Sequence, residues 1–176
     1  QQCSIDYLAK KGLTLHGSES VDLGDPKQVE NWINTAAKEH GSIDILYNNA
    51  SAAKFGPIGD FSVEDWHFTV RNELDQVFYT TRFAWQYLSK NGGVIINIAS
   101  TAAWGGSRKA GIAAHCATKG ALVSFTRQLA VEGAISGMMS GLIFTLAYIV
   151  YFKFMHPELN SSSNWLWGIS PEGIGT

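Results

Sequence analysis

Cysteine and positive charge are both scarce in this sequence. Cys3 and Cys116 are the only cysteines, and their separation matches neither a disulfide framework nor the paired spacing of a zinc site. The 13 Lys and Arg residues are outnumbered by 15 Asp and Glu residues, and no basic run occurs. These shortages argue against nucleic-acid binding. Together with the lack of a basic-then-apolar secretory leader, they favour a cytoplasmic protein.

Charged residues are missing altogether from one segment, residues 133–152. Its 20 positions are enough to cross a bilayer. Three glycines and two serines in its first half weaken that signal, and a buried core element is the alternative. Membrane attachment through 133–152 therefore stays open beside the soluble interpretation.

Short apolar runs alternate with helical periods along the chain. We expect a strand, a helix, a second strand, a long helix, a third strand and a further helix, and the later strands read as near-continuous apolar runs. This alternation predicts an α/β fold with a parallel sheet covered on both faces. The expected elements lie at 20–26, after Pro26, at 43–50, 68–89, 93–100 and 113–132.

Helix starts and stops are marked by particular residues. Asp25 is placed to cap a helix with Pro26 at its first position, and Gly41 follows its last turn. Ser62 and Asp65 form a capping-box-like start to the next helix. Asn91-Gly92-Gly93 ends it.

Polar side chains stand at the ends of all three expected strands. Asp22 ends the first, Asn48-Asn49 the second and Ser100-Thr101 the third, and His115 and Lys119 begin the helix that follows. Each could have a local role: Asp22 or Ser100 could cap a turn, and either Asn could bridge backbone groups. Ligands in open α/β sheets bind beyond the carboxyl ends of the strands, so a shared site there is the other interpretation.

Three ordered motifs carry a resemblance to a known family. NNAS at 48–51, INIAS at 96–100 and the residue-x-x-x-Lys pair at 115–119 resemble the short-chain dehydrogenase/reductase family over residues 20–134. LAVEGA at 129–134 and GISPEGIGT at 168–176 are similar to two further family landmarks. The resemblance implies a doubly wound, Rossmann-like, three-layer α/β/α domain that binds NAD or NADP.

The resemblance also implies roles for individual residues. On the cofactor side, Lys119 matches the lysine that binds the nicotinamide ribose. Asn72 matches the helix asparagine that holds a water in a proton relay, and Ser100 matches the serine that hydrogen-bonds the substrate oxygen. Further positions match the adenosine side of the cofactor and the loop beside its amide; they are Asp22, Leu23, Asn48, Asn49, Ala50, Pro171 and Thr176.

The sequence departs from the family at its acid/base. The family has a tyrosine where this chain has His115, and no tyrosine occurs anywhere in 88–147. An imidazole titrates near pH 6.5 in model peptides and can therefore exchange protons near neutrality. Two alternatives follow: His115 is a substitute catalytic residue, or its presence marks an impaired enzyme.

Two longer stretches also depart from the family pattern. No glycine-rich phosphate turn precedes Asp22, so we expect the first βαβ unit to be missing and the chain to be a fragment. We expect a partial dinucleotide-binding domain at 1–134, an atypical apolar insertion at 135–168 and a remnant of the cofactor loop at 169–176. SPEG at 170–173 spoils the family's Pro-Gly pair.

The predicted function is an NAD(P)-dependent oxidoreductase that transfers hydride between nicotinamide and a small alcohol or ketone. The resemblance further implies a homodimer or homotetramer formed through helices 68–89 and 113–132. A non-catalytic protein of the same fold, acting by association, and a membrane-attached fragment are the alternatives.

Overall fold

The computed structural model describes residues 7, 9–12, 20–108, 110–135 and 139–140. From Pro26 onward, their elements follow the expected alternation of helices and strands. In chain order they are α1 (Pro26–His40), β1 (Ile45–Asn48), α2 (Val63–Val70), a π-helical turn (Arg71–Asp75), α3 (Gln76–Asn91), β2 (Val94–Asn97), a 3-10 turn (Thr101–Ala103), α4 (Ala113–Ile135) and β3 (Met139–Ser140).

The three strands form one parallel sheet in the order β1-β2-β3. Ile45 is opposite Val94, and the register runs on to Asn48 opposite Asn97. The predicted parallel α/β fold is therefore confirmed for the described part of the chain. The strands are shorter than the predicted apolar runs: pairing between β1 and β2 ends at Asn48 and Asn97, and the residues that follow form loops at the carboxyl edge of the sheet.

One face of the sheet carries the described helices. The core beneath them joins α1, β1, α3 and β2 through six buried side chains, Val29, Ile33, Leu46, Ala84, Leu88 and Ile95. Along β1, buried Leu46 and Asn48 alternate with exposed Ile45 and Tyr47. The described residues thus form the sheet and one helix layer, and burial on both faces of β1 is not observed among them.

The predicted helix boundaries are confirmed where a side chain or a glycine marks them. The Asp25 carboxylate accepts from the N–H groups of Lys27 and Gln28, and Ser62 Oγ accepts from Asp65 N. Gly41 and Gly92 close α1 and α3 with φ of 80° and 75°. These positive φ values are reached by glycine at little cost, which explains why the helices end there.

The prediction of a strand at 20–26 was wrong. Residues 20–25 form no strand, because Asp22 builds a turn instead: its Oδ1 accepts from Gly24 N at 2.9 Å and its carbonyl accepts from Asp25 N at 3.0 Å. A side-chain oxygen that satisfies nearby N–H groups competes with a sheet ladder. The turn leads directly into the Asp25 cap of α1.

The helical stretch expected at 68–89, with a helix start predicted at Ser62, is interrupted in the structure. Its start is the Ser62 cap, and between α2 and α3 the N–H of Gln76 donates to the carbonyl of Arg71, five residues back. This one-turn widening is a π-bulge, a feature that occurs often at functional sites. The π-helical turn packs against α4, and its Glu73 contacts His115 in the first turns of that helix.

Candidate active site

The first turns of α4 hold His115 and Lys119 at the carboxyl edge of the sheet. Lys119 Nζ donates to the carbonyl of Ile98, just after β2, at 3.1 Å. The side chain of His115 is 19% exposed and that of Lys119 is 6% exposed. One face of the helix therefore brings a partly accessible imidazole and a buried ammonium to the same end of the sheet.

Glu73, in the π-helical turn, lies between these two groups. His115 Nδ1 is 2.9 Å from both carboxylate oxygens of Glu73, and Lys119 Nζ is 3.8 Å from Oε1. A carboxylate between two basic groups allows both to be held together in a small volume. The Glu73 carboxylate, which comes from another helical segment, thus offsets the repulsion between the neighbouring basic groups of His115 and Lys119.

Two hydroxyl groups complete the surroundings of this carboxylate. Ser51 Oγ donates to Glu73 Oε1 and Thr118 Oγ1 donates to Oε2, each at 2.6 Å. Glu73 itself is 1% exposed. We call this group the charged network; it consists of Ser51, Glu73, His115, Thr118 and Lys119.

Burial sets the electrostatics of Lys119. Desolvation lowers the pKa of this ammonium below its ordinary value, and attraction to the Glu73 carboxylate opposes part of that shift. A lysine in this position can lose its proton more readily than one on the surface.

Ser100 lies at the end of β2 as predicted, and it caps the 3-10 turn. Its Oγ accepts from Ala102 N at 3.2 Å and makes no hydrogen bond to His115. The 3-10 turn packs on α4, where a Cβ on Gly120 would lie 3.8 Å from the carbonyl of Ala103. The structure therefore brings Ser100 to the same edge as His115 without direct contact between their polar atoms.

Asn72 is next to Glu73 in the π-helical turn. Its Nδ2 donates to the carbonyl of Phe68 at 2.7 Å, and its own carbonyl accepts from Gln76 Nε2. It hydrogen-bonds to neither His115 nor Lys119. The role in a proton relay that the resemblance implies for Asn72 thus remains a prediction.

The residues expected near the adenosine lie around the carboxyl end of β1. Leu23, Asn48, Asn49 and Ala50 line one small cavity that opens at the surface beside α1 and α3. Asp22 lies nearby in its turn and pairs with Arg71, Oδ2 to Nη2, at 2.6 Å. The hydrogen bond from Arg71 lowers the pKa of Asp22 below its usual value, and the hydrogen bond from the Gly24 N–H lowers it further.

Asn48 also belongs to a second group of buried polar side chains. Its Nδ2 donates to Asn97 Oδ1 at 2.8 Å, and its Oδ1 accepts from Thr80 Oγ1 at 2.8 Å. Asn97 Nδ2 in turn donates to Thr126 Oγ1 at 3.0 Å. We call Asn48, Thr80, Asn97 and Thr126 the neutral network; it ties β1, β2, α3 and α4 together.

Two loops border the accessible side of His115. The ring of exposed Phe55 stands edge-on to the imidazole with centroids 5.8 Å apart. Gly56 N donates to the carbonyl of Gly111 at 2.8 Å, and a Cβ on Gly111 would lie 2.0 Å from Gly56 O. Glycine at 111 therefore allows the two loops to approach closely beside the imidazole.

Several predictions fall on positions outside the described residues. Pro171, Thr176 and the whole segment 169–176 lie there. So do nearly all of the segment 135–168 and most of the apolar segment 133–152. Among the residues that the structure does describe, none belongs to a helix that is both long and apolar enough to cross a bilayer.

Glu73, Ser51 and Thr118 were missed as site residues by the sequence reasoning. A signal for Glu73 was present: it stands three residues after Val70 and four before Val77, on the apolar stripe of its predicted helix. A carboxylate on a buried stripe requires buried partners. The two basic partners of Glu73, His115 and Lys119, lie 42 and 46 positions further along the chain, so their identity was not visible in the local sequence.

Curated relatives match much of this chain. A meso-2,3-butanediol dehydrogenase from Serratia marcescens is 36% identical over 118 residues, 67% of this chain and 46% of that protein. A D-beta-hydroxybutyrate dehydrogenase from Cupriavidus necator is 34% identical over 128 residues, 72% of this chain and 49% of its own length. The chain thus spans about half the length of these relatives.

Solved structures share the fold. A gluconate 5-dehydrogenase from Burkholderia cenocepacia, determined in complex with NADP and tartrate, superposes with a TM-score of 0.71 at 29% identity, covering 77% of this chain and 52% of that one. A short chain dehydrogenase from Mycobacterium smegmatis gives a TM-score of 0.71 at 28% identity, with coverages of 78% and 57%. The family model described as short chain dehydrogenase matches residues 11–143. This chain therefore belongs to the short-chain dehydrogenase family.

Proposed function

We propose that the full protein is an NAD(P)-dependent oxidoreductase in which His115 exchanges a proton with a small alcohol or carbonyl substrate. The observation that carries the proposal is the contact of His115 Nδ1 with the buried Glu73 carboxylate. It occupies one ring nitrogen and leaves Nε2 without a hydrogen-bond partner in the described part of the chain. An acid/base needs such a free nitrogen within reach of its substrate.

The residues at the sheet edge fit a dinucleotide. Leu23 and Ala50 provide apolar walls and Asn49 a polar amide in one cavity, which suits a heteroaromatic ring with polar edges. Lys119 offers an ammonium at the end of β2, suited to ribose hydroxyl groups. When bound, the cofactor accepts or supplies a hydride at the substrate carbon.

The protein's own task is to handle the proton. During alcohol oxidation, His115 Nε2 accepts the hydroxyl proton while the carbon loses hydride, and during reduction the protonated ring returns it. The Ser100 hydroxyl can donate its hydrogen to the substrate oxygen as the charge on that oxygen changes, while Ser100 Oγ still accepts from Ala102 N. Water relayed past Asn72 is the proposed route for the proton to solvent.

The substrate class follows from the same site. Phe55 at the open side of the imidazole favours a carbon chain or ring over a highly charged group. Two of the relatives are named for butanediol and hydroxybutyrate, both small secondary alcohols. We therefore propose a small secondary alcohol, or the matching ketone, as the substrate; both NAD and NADP are to be tried.

Replacement of His115 tests the proposal. In the full protein, His115→Ala should lower kcat/KM for NAD(P)-dependent oxidation of a panel of diols and hydroxy acids by at least about 100-fold, the usual share of a general acid/base. His67→Ala, which changes an exposed histidine of α2, is the matched control and should keep the wild-type rate.

An unchanged rate in His115→Ala would show that the proton is handled elsewhere. Binding of NAD(P)H without turnover of any substrate in the panel would favour the impaired, association-type protein instead. Pairing of two copies through α3 and α4, and a cytoplasmic location, stay predictions that sedimentation and fractionation of the full protein can check.

A further inference from the structure

The imidazole of His115 contacts the carboxylate of Glu73 through its Nδ1 atom. Both oxygens of Glu73 lie 2.9 Å from Nδ1, and Glu73 is 1% exposed. An ionised carboxylate can only accept hydrogen bonds, so the ring hydrogen belongs on Nδ1. In the neutral ring this leaves Nε2 with a lone pair on the opposite side.

The carboxylate is itself fixed by its other neighbours. Ser51 and Thr118 donate to its two oxygens at 2.6 Å, from the loop after β1 and from α4. The ammonium of Lys119 lies 3.8 Å away. Within the described part of the chain, every polar neighbour of Glu73 is a donor or a cation, and this arrangement disfavours rotation of the carboxylate away from the ring.

We propose that Glu73 is the positioning residue of His115: it fixes the Nδ1–H tautomer and balances the positive charge that forms on the ring during the reaction. This inference rests on the acid/base role of His115 proposed above. Without Glu73, a protonated imidazole would stand one helical turn from the Lys119 ammonium with no negative charge between them.

The proton balance assigns Glu73 no chemical step of its own. During oxidation the substrate O–H bond breaks as an Nε2–H bond forms. The electron pair of that O–H bond stays with the oxygen to build the C=O bond, and the carbon gives its hydride to the oxidised nicotinamide cofactor, which would be bound beside it. The ring then carries hydrogen on both nitrogens and a positive charge. Glu73 neither gains nor loses a proton; it supplies the opposite charge and the orientation.

Glu73→Gln separates charge from shape. Glutamine keeps an oxygen that can accept from Nδ1, so substrate binding should hold and KM should stay within about twofold, while kcat falls by about 10- to 100-fold. Glu64→Gln, an exposed glutamate in the first turn of α2, is the matched control and should keep both constants. Combining Glu73→Gln with His115→Ala should add no further loss, because the two act as one unit.

The tautomer provides a readout that needs no turnover. In the full protein with ¹⁵N-labelled histidine, NMR should show His115 protonated at Nδ1 when the ring is neutral, and in Glu73→Gln a share should shift to the Nε2–H form. If Glu73→Gln does not fold, the wild-type spectrum alone decides. A ring protonated at Nε2 in the wild-type protein would overturn the inference.

The two readouts distinguish failure of this inference from failure of the proposed function. Wild-type turnover in His115→Ala would remove the proposed function, whatever the tautomer. Loss of turnover in His115→Ala, together with an unchanged kcat and tautomer in Glu73→Gln, would remove only the positioning role of Glu73.

Discussion

The charged and neutral networks both join the helix layer to the carboxyl edge of the sheet. All four members of the neutral network are buried, as are Glu73, Thr118 and Lys119 of the charged network. The neutral network closes on itself: the amides of Asn48 and Asn97 bond to each other and to threonine hydroxyls of α3 and α4. The charged network draws its members from the loop after β1, the π-helical turn and α4, and it contains a carboxylate, an ammonium and an imidazole. It is also open to solvent, at the partly exposed ring of His115 and at the exposed Ser51.

This difference shows how to separate a structural from a chemical polar cluster. A closed neutral cluster specifies which strand lies beside which helix, and every group has its partner before any ligand arrives. Burial of a charged cluster costs desolvation energy. Such a cluster is typical of a functional site when one of its groups, here a ring nitrogen, keeps a free hydrogen-bonding position at the accessible end. Both clusters contain residues of the family motifs, so motif membership alone does not separate them.

The largest expected effect comes from removal of the buried charge. Glu73→Leu should lower the free energy of unfolding by about 3–5 kcal/mol, because the Lys119 ammonium then stays buried without a counter-charge. Urea unfolding of the full protein measures the change. The double variant Glu73→Leu/Lys119→Met should regain most of the loss. A double variant as unstable as Glu73→Leu would show that the charges are not the source of the effect.

A smaller effect is expected in the neutral network. Asn97→Ala leaves Asn48 Nδ2 without its closest acceptor and Thr126 without a donor, which should lower the free energy of unfolding by about 1–3 kcal/mol. No member of this network titrates, so the loss should be equal at about pH 6 and about pH 8. The control is Asn31→Ala on the exposed side of α1. A strongly pH-dependent loss would mean that the two networks are coupled.

The smallest effect is expected at the exposed pair of Arg71 and Asp22. Arg71→Ala should lower the free energy of unfolding by less than about 1 kcal/mol, because both side chains face solvent. The pKa of Asp22 is depressed from 3.8 in the folded protein, so this contribution is present above pH 3.8 and disappears as the pH falls through the lowered folded pKa.

Thermal unfolding of wild type and Arg71→Ala, compared at neutral and acidic pH, checks the Arg71 prediction. The two should become more alike in acid and also at high salt, where exposed charges are screened. A difference that persisted in both conditions would assign the effect to packing of Arg71 against Gly24.

Features with a local cause were predictable from the sequence. Asp25 and Ser62 begin helices through side-chain contacts with the nearest few residues, and Gly41 and Gly92 end helices through their positive φ values. The strand expected at 20–26 failed for the same kind of reason, since the side chain of Asp22 satisfies an N–H two residues away. A short apolar run does not reveal whether a ladder partner exists for it.

By itself the sequence determined the alternation of helices and strands after Pro26, the helix caps and the placement of Asn48, Ser100, His115 and Lys119 at one edge of the sheet. These follow from periodicity and from contacts over a few residues. Only the tertiary structure decided that Glu73 lies between His115 and Lys119. A π-helical turn presents that carboxylate to a helix more than 40 positions away, and no local pattern specifies the meeting of two such distant segments.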